Sequence, residues 1–265
     1  MNRAHLSVLP IALVLLLVPY FTGFTNETNT NTTLYLQEAY DPALYQQLQN
    51  MDALLQYIDR NYTGNRNSFD FPNYMGTVIS RRFYHDYSYY STADNWIAAL
   101  AGKFIWKDLA APVLPDDILK HPNASCSQQS IVLMACAKHF GLNFRKISFD
   151  HHYITEVAIG NHWHYIDPNM EVITKNESLQ ELITSGKFYA LYKNKLNPAL
   201  LKAELAHPVY GNIDAPAAPH AAIFQSVTDW LSQYFICLVF LAEAVVFAVY
   251  LRKDRSRQIR MGRMV

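Results

Sequence analysis

The stretch from Asn123 to Gly141 constrains this chain more than any other. It reads as one helix with both ends marked. Ser125 suits the N-cap, and Gln128 stands three residues later, the spacing of a capping box. Lys138 and His139 fall in the last turn, where cations complement the helix dipole, and Gly141 can take the left-handed position after the C-cap. Between these ends Ile131 to Ala137 is apolar on every face, and a helix apolar all round belongs inside a domain. Cys126 is then the first residue of a buried helix. Backbone N–H groups are unpaired there and the dipole is positive; both favour a thiolate, the reactive form of cysteine. Cys136, between Ala135 and Ala137, has no polar neighbour in the run and reads as a small core residue.

With 265 residues the chain holds one medium domain plus extras. Lys and Arg number 22 and Asp and Glu 22, so the net charge of zero points to no polyanion and no nucleic acid. Three cysteines are too few for a disulfide framework. Cys126 and Cys136 lie roughly 15 Å apart at 1.5 Å per residue, beyond the ~7 Å between Cα atoms that a disulfide allows. Cys237 falls in a C-terminal apolar run, and all three are expected to be thiols.

Two apolar segments flank the middle of the chain. Residues 1–24 carry Leu6 to Phe24 behind Arg3 and His5, with Pro10 and Pro19 inside. The segment suits a signal peptide or a signal anchor, and the lack of an Ala-x-Ala-like cleavage site favours the anchor. Residues 230–251 form the stronger candidate, edged by Trp230 and Tyr250. Arg252, Lys253, Arg255, Arg257, Arg260 and Arg263 follow in the tail 252–265. This predicts a transmembrane helix with a basic cytoplasmic tail. Residues 25–206 would then be an extracytoplasmic domain, joined by a linker at 207–229. A bacterial inner membrane with a periplasmic domain fits, since a glycan on the Asn123 sequon, three residues from Cys126, would crowd it. The other sequons are at Asn26, Asn31, Asn61 and Asn176. Glu243, near the centre of the predicted span, is an ionisable group in an apolar run and a candidate contact for a membrane-protein partner.

Within the domain, Thr25 to Thr33 reads as a polar spacer. Leu34 to Ile58 has helical spacing, with Leu48, Met51, Leu54, Leu55 and Ile58 on one face. Asn61 to Asn67 is a polar break, and Phe69 to Tyr90 is rich in aromatic residues. Thr92 to Trp106 reads as a helix. Pro112, Pro115 and Pro122 exclude a long helix before Cys126. After Gly141 the period changes: Phe144 to Phe149, His152 to Ile159 and Trp163 to Ile166 read as antiparallel strands. Ser178 to Ser185 and Ala199 to Ala206 read as short helices, and Ala206 to Pro219 as linker.

Gly160-Asn161 suits a two-residue hairpin turn. With that turn, Ile159 faces His162, Ala158 faces Trp163 and Ile154 faces Asp167. Because side chains alternate, His152 and Asp167 share a face and lie within reach of each other. A one-residue change in the turn would exchange His152 for His151. The same register tests the histidines as metal ligands. His162 and His164 share a face with His151, but His151 lies roughly 20 Å from the partner of His164 at ~3.3 Å per residue. No metal and no cofactor are expected. A cysteine at a helix N-terminus, followed by His and Asp on a hairpin, is the constellation of a thiol nucleophile. His152 would take the thiol proton and Asp167 would hold the imidazole. The Cys126 N–H is a ready oxyanion donor. Asn95, Trp96, Trp106 and Trp163 are candidates for further oxyanion or substrate contacts.

Residues 122–169 resemble the transglutaminase-like superfamily, relatives of the papain-like cysteine peptidases. The resemblance rests on four pieces. Cys126 opens a helix that ends in Phe140-Gly141-Leu142, and Phe144-Arg145-Lys146 leads a strand. His152-Tyr153-Ile154-Thr155-Glu156-Val157 and Trp163-His164-Tyr165-Ile166-Asp167-Pro168 follow. Members often have Gly before the cysteine, where this chain has Ser125, and Tyr153 follows the histidine here. The resemblance implies an α+β fold with a papain-like core, a central helix on an antiparallel sheet; the spacing and the apolar segments read above add an N-terminal helical region and flanking transmembrane helices. It also implies a Cys126–His152–Asp167 triad acting on peptide or glutamine-type amides of a peptide or protein substrate through a thioester, by transamidation or hydrolysis. The alternative is a non-catalytic module of the same fold within a membrane complex.

Overall fold

The computed structural model describes residues 39–195, 201, 203 and 205–261. The first apolar segment and the spacer after it lie outside the described residues. In chain order the elements are α1 (Pro42–Gln47), α2 (Met51–Asn61), α3 (Asp70–Arg82), α4 (Thr92–Phe104), a 3-10 turn (Lys107–Ala110), α5 (Pro115–Leu119) and α6 (Cys126–His139). Then come β1 (Phe144–Ser148), β2 (Tyr153–Ile159), β3 (His162–Asp167), β4 (Val172–Ile173), α7 (Leu179–Thr184), α8 (Phe188–Leu191), β5 (Val209–Tyr210) and α9 (Pro219–Met261). The fold is α+β, with a five-stranded antiparallel sheet in the order β4-β3-β2-β1-β5.

Two compact units share the described residues. One is built from Tyr90–Ala110 and the chain from Ser226 onward; the other from the chain up to Tyr89 and Ala111–Gln225. The sheet and α6 belong to the second unit.

α6 forms where its end signals place it. Gln128 Oε1 accepts a 3.0 Å bond from the Ser125 backbone N–H. At the other end Gly141 has φ 71° and Leu142 N–H donates to Ala137 O at 2.9 Å, which satisfies carbonyls of the last turn. The helix lies against β2: Ser130 Oγ donates to Tyr153 O at 3.3 Å, and Thr155 Oγ1 donates to Ser130 O. Val132, Leu133, Cys136 and Ala137 are fully buried there, in a core shared with Ile58, Met75, Ile79, Val157 and Ile166. A second core has Ile147, Ile154 and Tyr165 against Leu179, Leu182, Phe188 and Tyr192. The sheet is thus covered on both faces, and the apolar residues of its strands alternate between the two cores.

Arg82 fixes the approach to α6. It is fully buried, and its guanidinium donates to the carbonyls of Leu48 and His121 at 2.9 Å each and to that of Leu119. Burial lowers its pKa to about 10, against the raising influence of Tyr45 and Tyr40. Carbonyls from the ends of α1 and α5 and from the loop after α5 are thereby gathered on one cation. Tyr84 then pairs with the strand-like segment before Cys126, through bonds from Tyr84 N–H to Pro122 O and from Ala124 N–H to Tyr84 O, both 3.0 Å.

Several boundaries differ from those read in the sequence. Residues 34–38 of the helical reading at 34–58 lie outside the described residues; the rest resolves into α1 and α2, because Asn50 turns extended and its side chain caps α2 by accepting from Ala53 N–H at 2.8 Å. The aromatic-rich stretch after Phe69 contains α3, whose buried face carries Phe71, Met75 and Ile79. The Ala/Pro-rich linker holds an edge strand: Val209 and Tyr210 pair with Ser148 and Ile147, and Asp214 exchanges two bonds with Phe144. Composition concealed these few ordered residues.

α9 carries the C-terminal apolar run as continuous helix. Among the described residues no helix is long and apolar enough to cross a membrane. Within 230–251 the side chains of Ile236, Cys237, Leu238, Phe240, Glu243, Phe247, Tyr250 and Leu251 lie outside the described residues. The roles read for Glu243 and Cys237 fall there too.

Candidate active site

The site lies where α6 begins and the β2–β3 hairpin ends. The hairpin has the register its turn dictates: Ile159 pairs with His162, Ala158 with Trp163 and Thr155 with Ile166. Gly160 takes φ 60°, which the turn requires. His152 stands just before β2 and Asp167 ends β3. His152 Nε2 and Asp167 Oδ2 are 2.6 Å apart, in a contact sealed from solvent: His152 is 2% exposed and Asp167 fully buried. Cys126, at the first position of α6, is close enough to the same imidazole for its side chain to help raise the His152 pKa. With Nε2 engaged by Asp167, Nδ1 is the ring nitrogen left for the sulfur. The three residues the sequence picks out as nucleophile, base and orienting carboxylate are therefore brought together.

Burial alone would lower the His152 pKa. The charge and hydrogen bond of Asp167 and the Cys126 side chain outweigh it and raise the pKa above the ordinary 6.5. The environment thus favours imidazolium, the form produced when His152 takes the thiol proton. No acceptor among the described residues bonds the Cys126 backbone N–H, which remains at the helix end for an oxyanion.

Asp167 is itself held by groups that the motif did not reveal. Tyr192 Oη donates to its Oδ2 at 2.8 Å, and the Met170 backbone N–H donates to its Oδ1 at 3.1 Å. Tyr165 and Tyr192 share a close hydroxyl–hydroxyl hydrogen bond. Burial and the neighbouring carboxylate push both phenol pKa values well above 10.0, so both hydroxyls keep their protons. Tyr165 carried a signal, since it stands two residues before Asp167 on the same strand face. Tyr192 carried none, because it follows α8 in a stretch without a clear period.

The remaining candidates have the following surroundings. Trp163 stacks on Arg145, at 4.3 Å from guanidinium carbon to ring centre. Arg145 in turn pairs with the fully buried Glu156, whose other oxygen accepts from Leu179 N–H at 2.7 Å, at the start of α7. Trp163 also stands four residues from Asp167, roughly 13 Å along a strand. Asn95, Trp96 and Trp106 belong to the other unit. Asn95 Nδ2 donates to Thr228 Oγ1 at 2.9 Å, while its Oδ1 accepts from Ala98 N–H and Ser232 Oγ at 3.1 Å each. It acts as a cap inside α4, where its backbone breaks the helix at φ −142°, ψ 85°. Trp96 packs edge-on against Phe235, and Trp106 is 61% exposed. His151 and His162 are exposed and His164 is buried on the opposite face of the hairpin from His152. Asn123, the sequon residue nearest the site, is only 6% exposed.

Comparison with protein-family models, with curated proteins and with solved structures finds no match to this chain.

Proposed function

We propose that the chain is a membrane-anchored cysteine enzyme with a papain-like, transglutaminase-like core. It would act on peptide or glutamine-type amides of a protein or peptide outside the cytoplasm. The observation that carries this reading is the 2.6 Å contact of His152 with Asp167, on an imidazole that also meets the thiol at the start of α6.

The chemistry follows from the geometry. His152 Nδ1 removes the thiol proton, and the sulfur adds to the amide carbonyl carbon. The developing oxyanion receives the Cys126 N–H. Collapse breaks the C–N bond, the imidazolium returns its proton to the leaving amine, and a thioester remains on Cys126. Water or a second amine then attacks the thioester, His152 taking its proton and the thiol leaving. Asp167 holds the imidazole with Nε2–H toward itself throughout.

Membrane attachment is supported by α9. From Leu241 to Val249 every described side chain is exposed, on all sides of the helix. Leu241, Val245, Val246 and Val249 are 63%, 56%, 49% and 48% exposed. Apolar side chains exposed all around a helix match a hydrocarbon surrounding, and the run precedes a cluster of arginines.

The reading is tested by alkylating the native chain with iodoacetamide and mapping the modified peptide, beside Cys126→Ala and His152→Ala. Rapid labelling of Cys126 at neutral pH, slowed in His152→Ala, is the expected result. Equal rates in the native chain and His152→Ala would remove His152 as the base. Mass spectrometry after incubation with a glutamine-containing peptide then reports the acyl-enzyme.

A further inference from the structure

We infer that the tip of the α4 hairpin, Phe104-Ile105-Trp106, is a membrane-inserting wedge: a second contact of the chain with the lipid bilayer, beside α9. The inference rests on the reading of α9 as a membrane span. Three consecutive large apolar side chains are 72%, 79% and 61% exposed at this tip, the most exposed apolar run among the described residues of its unit. Soluble surfaces scatter such residues singly; a contiguous group marks an interaction site. Lys103 and Lys107 bracket it and are exposed. Aromatic and aliphatic residues between cations is the composition that settles at a headgroup boundary, where the rings enter the acyl region and the ammonium groups meet lipid phosphates.

The tip is built rather than loose. Ile105 N–H and Trp106 N–H both donate to Ala101 O, at 2.9 and 3.2 Å, and Leu109 N–H donates to Trp106 O at 3.0 Å. A Cβ on Gly102 would come within 2.3 Å of the Ala110 Cβ, so glycine allows the 3-10 turn to close tightly against α4. Tyr90 N–H donates to Ala110 O at 2.7 Å and closes the base. No apolar partner covers the tip among the described residues of its unit.

The base of the tip meets α9 at the start of the proposed span. Asn95 bonds Thr228, Ile97 N–H donates to Ser232 Oγ at 3.4 Å, and Trp96 packs on Phe235. Ile97 thus lies beside the first turns of the proposed span, and seven further residues of helix separate it from the tip, about 10 Å.

The test uses the full chain reconstituted in vesicles of phosphatidylethanolamine and phosphatidylglycerol, with and without bromine near the top of the acyl chains. Subtracting the spectra of Trp106→Phe and Trp230→Phe isolates each indole. Insertion predicts that bromolipid quenches the Trp106 contribution roughly twofold, and that Ile105→Ser reduces the quenching. Quenching at Trp230 with none at Trp106 would overturn the wedge and leave the span standing. Absence of quenching at both would overturn wedge and span together. A Trp106 emission that shifts with protein concentration but ignores bromolipid would overturn it in favour of contact with a second copy.

Discussion

The β2–β3 hairpin buries a histidine on each of its faces, and the two surroundings push them in opposite directions. His152 meets the Asp167 carboxylate, and its pKa is raised despite burial. His164, fully buried on the other face, meets only the amide oxygen of Asn73, at 2.6 Å, and lies beside the ring of Phe69. Its Nδ1 has no hydrogen-bond partner. Burial lowers its pKa to about 4, and the charges of Glu177 and Asp70 oppose this only in part. Residue type, strand pair and depth are shared. The sign is set by whether the partner is a carboxylate or an amide, and only the first makes a base that can carry a proton through a reaction.

Replacing the carboxylate should erase the difference, with the largest effect of any change considered. In Asp167→Asn the new amide can donate to Nε2. The ring then carries its proton on Nδ1, which faces the sulfur and can no longer accept from it. Thioester formation is expected to fall about 10⁴-fold, as for the equivalent exchange in a serine triad. The alkylation rate of Cys126 against pH should lose its dependence on a raised imidazole pKa. A variant that keeps the wild-type profile would show that Asp167 has no part in setting the His152 proton.

The opposed shifts also predict opposed contributions to stability. For His164 the folded pKa lies below the unfolded value, so the fold favours the neutral ring. That contribution is fully present above about pH 6.5 and is lost as pH falls toward 4, by roughly 3 kcal/mol in all. For His152 the folded pKa lies above 6.5. Its contribution is fully present below that value and is lost as pH rises through the raised one. His164→Gln keeps an N–H donor for Asn73 and cannot ionise. Urea unfolding of this variant should therefore lose less stability between pH 7 and pH 4.5 than the wild type does, by about 2 to 3 kcal/mol. Equal acid sensitivity would mean that His164 is not held neutral.

The same hairpin shows what the sequence could reveal. Gly160-Asn161 fixes the register, the register puts His152 and Asp167 on one face, and the end signals of α6 put Cys126 at a helix start. Each is a local rule with a short reach. Asn95 shows where local rules mislead. A polar residue near the start of a helical pattern looked available to a substrate, yet its amide is spent on Thr228 and on capping a break in α4. Val209 and Tyr210 lay hidden because a two-residue edge strand has no period, and α3 because its aromatic residues drew attention from its spacing. Tyr192 is the clearest omission: its contact with Asp167 spans 25 residues and depends on how α8 packs under the sheet. Tyr192→Phe removes one donor from a buried carboxylate while leaving the ring in place. Its cost should be about tenfold in thioester formation, near the value of one hydrogen bond to a charged group. Tyr192→Leu, which also empties space, should lose stability as well as rate, and the contrast separates positioning from packing.

A third buried group sharpens the comparison by having neither partner. Cys136 lies almost three turns along the helix that Cys126 opens, and burial alone pushes its thiol up to about 12. It should resist iodoacetamide in the native chain and react only after unfolding, as peptide mapping would show. Cys136→Ala removes a single buried sulfur, so roughly 1 kcal/mol of stability should be lost. The alkylation rate of Cys126 should not change, because the helix start and the imidazole are untouched. If Cys136 were instead modified as quickly as Cys126 in the folded protein, position on the helix and proximity to His152 would not be what distinguishes the two thiols. The reactivity assigned to the site would then have to come from somewhere other than its geometry.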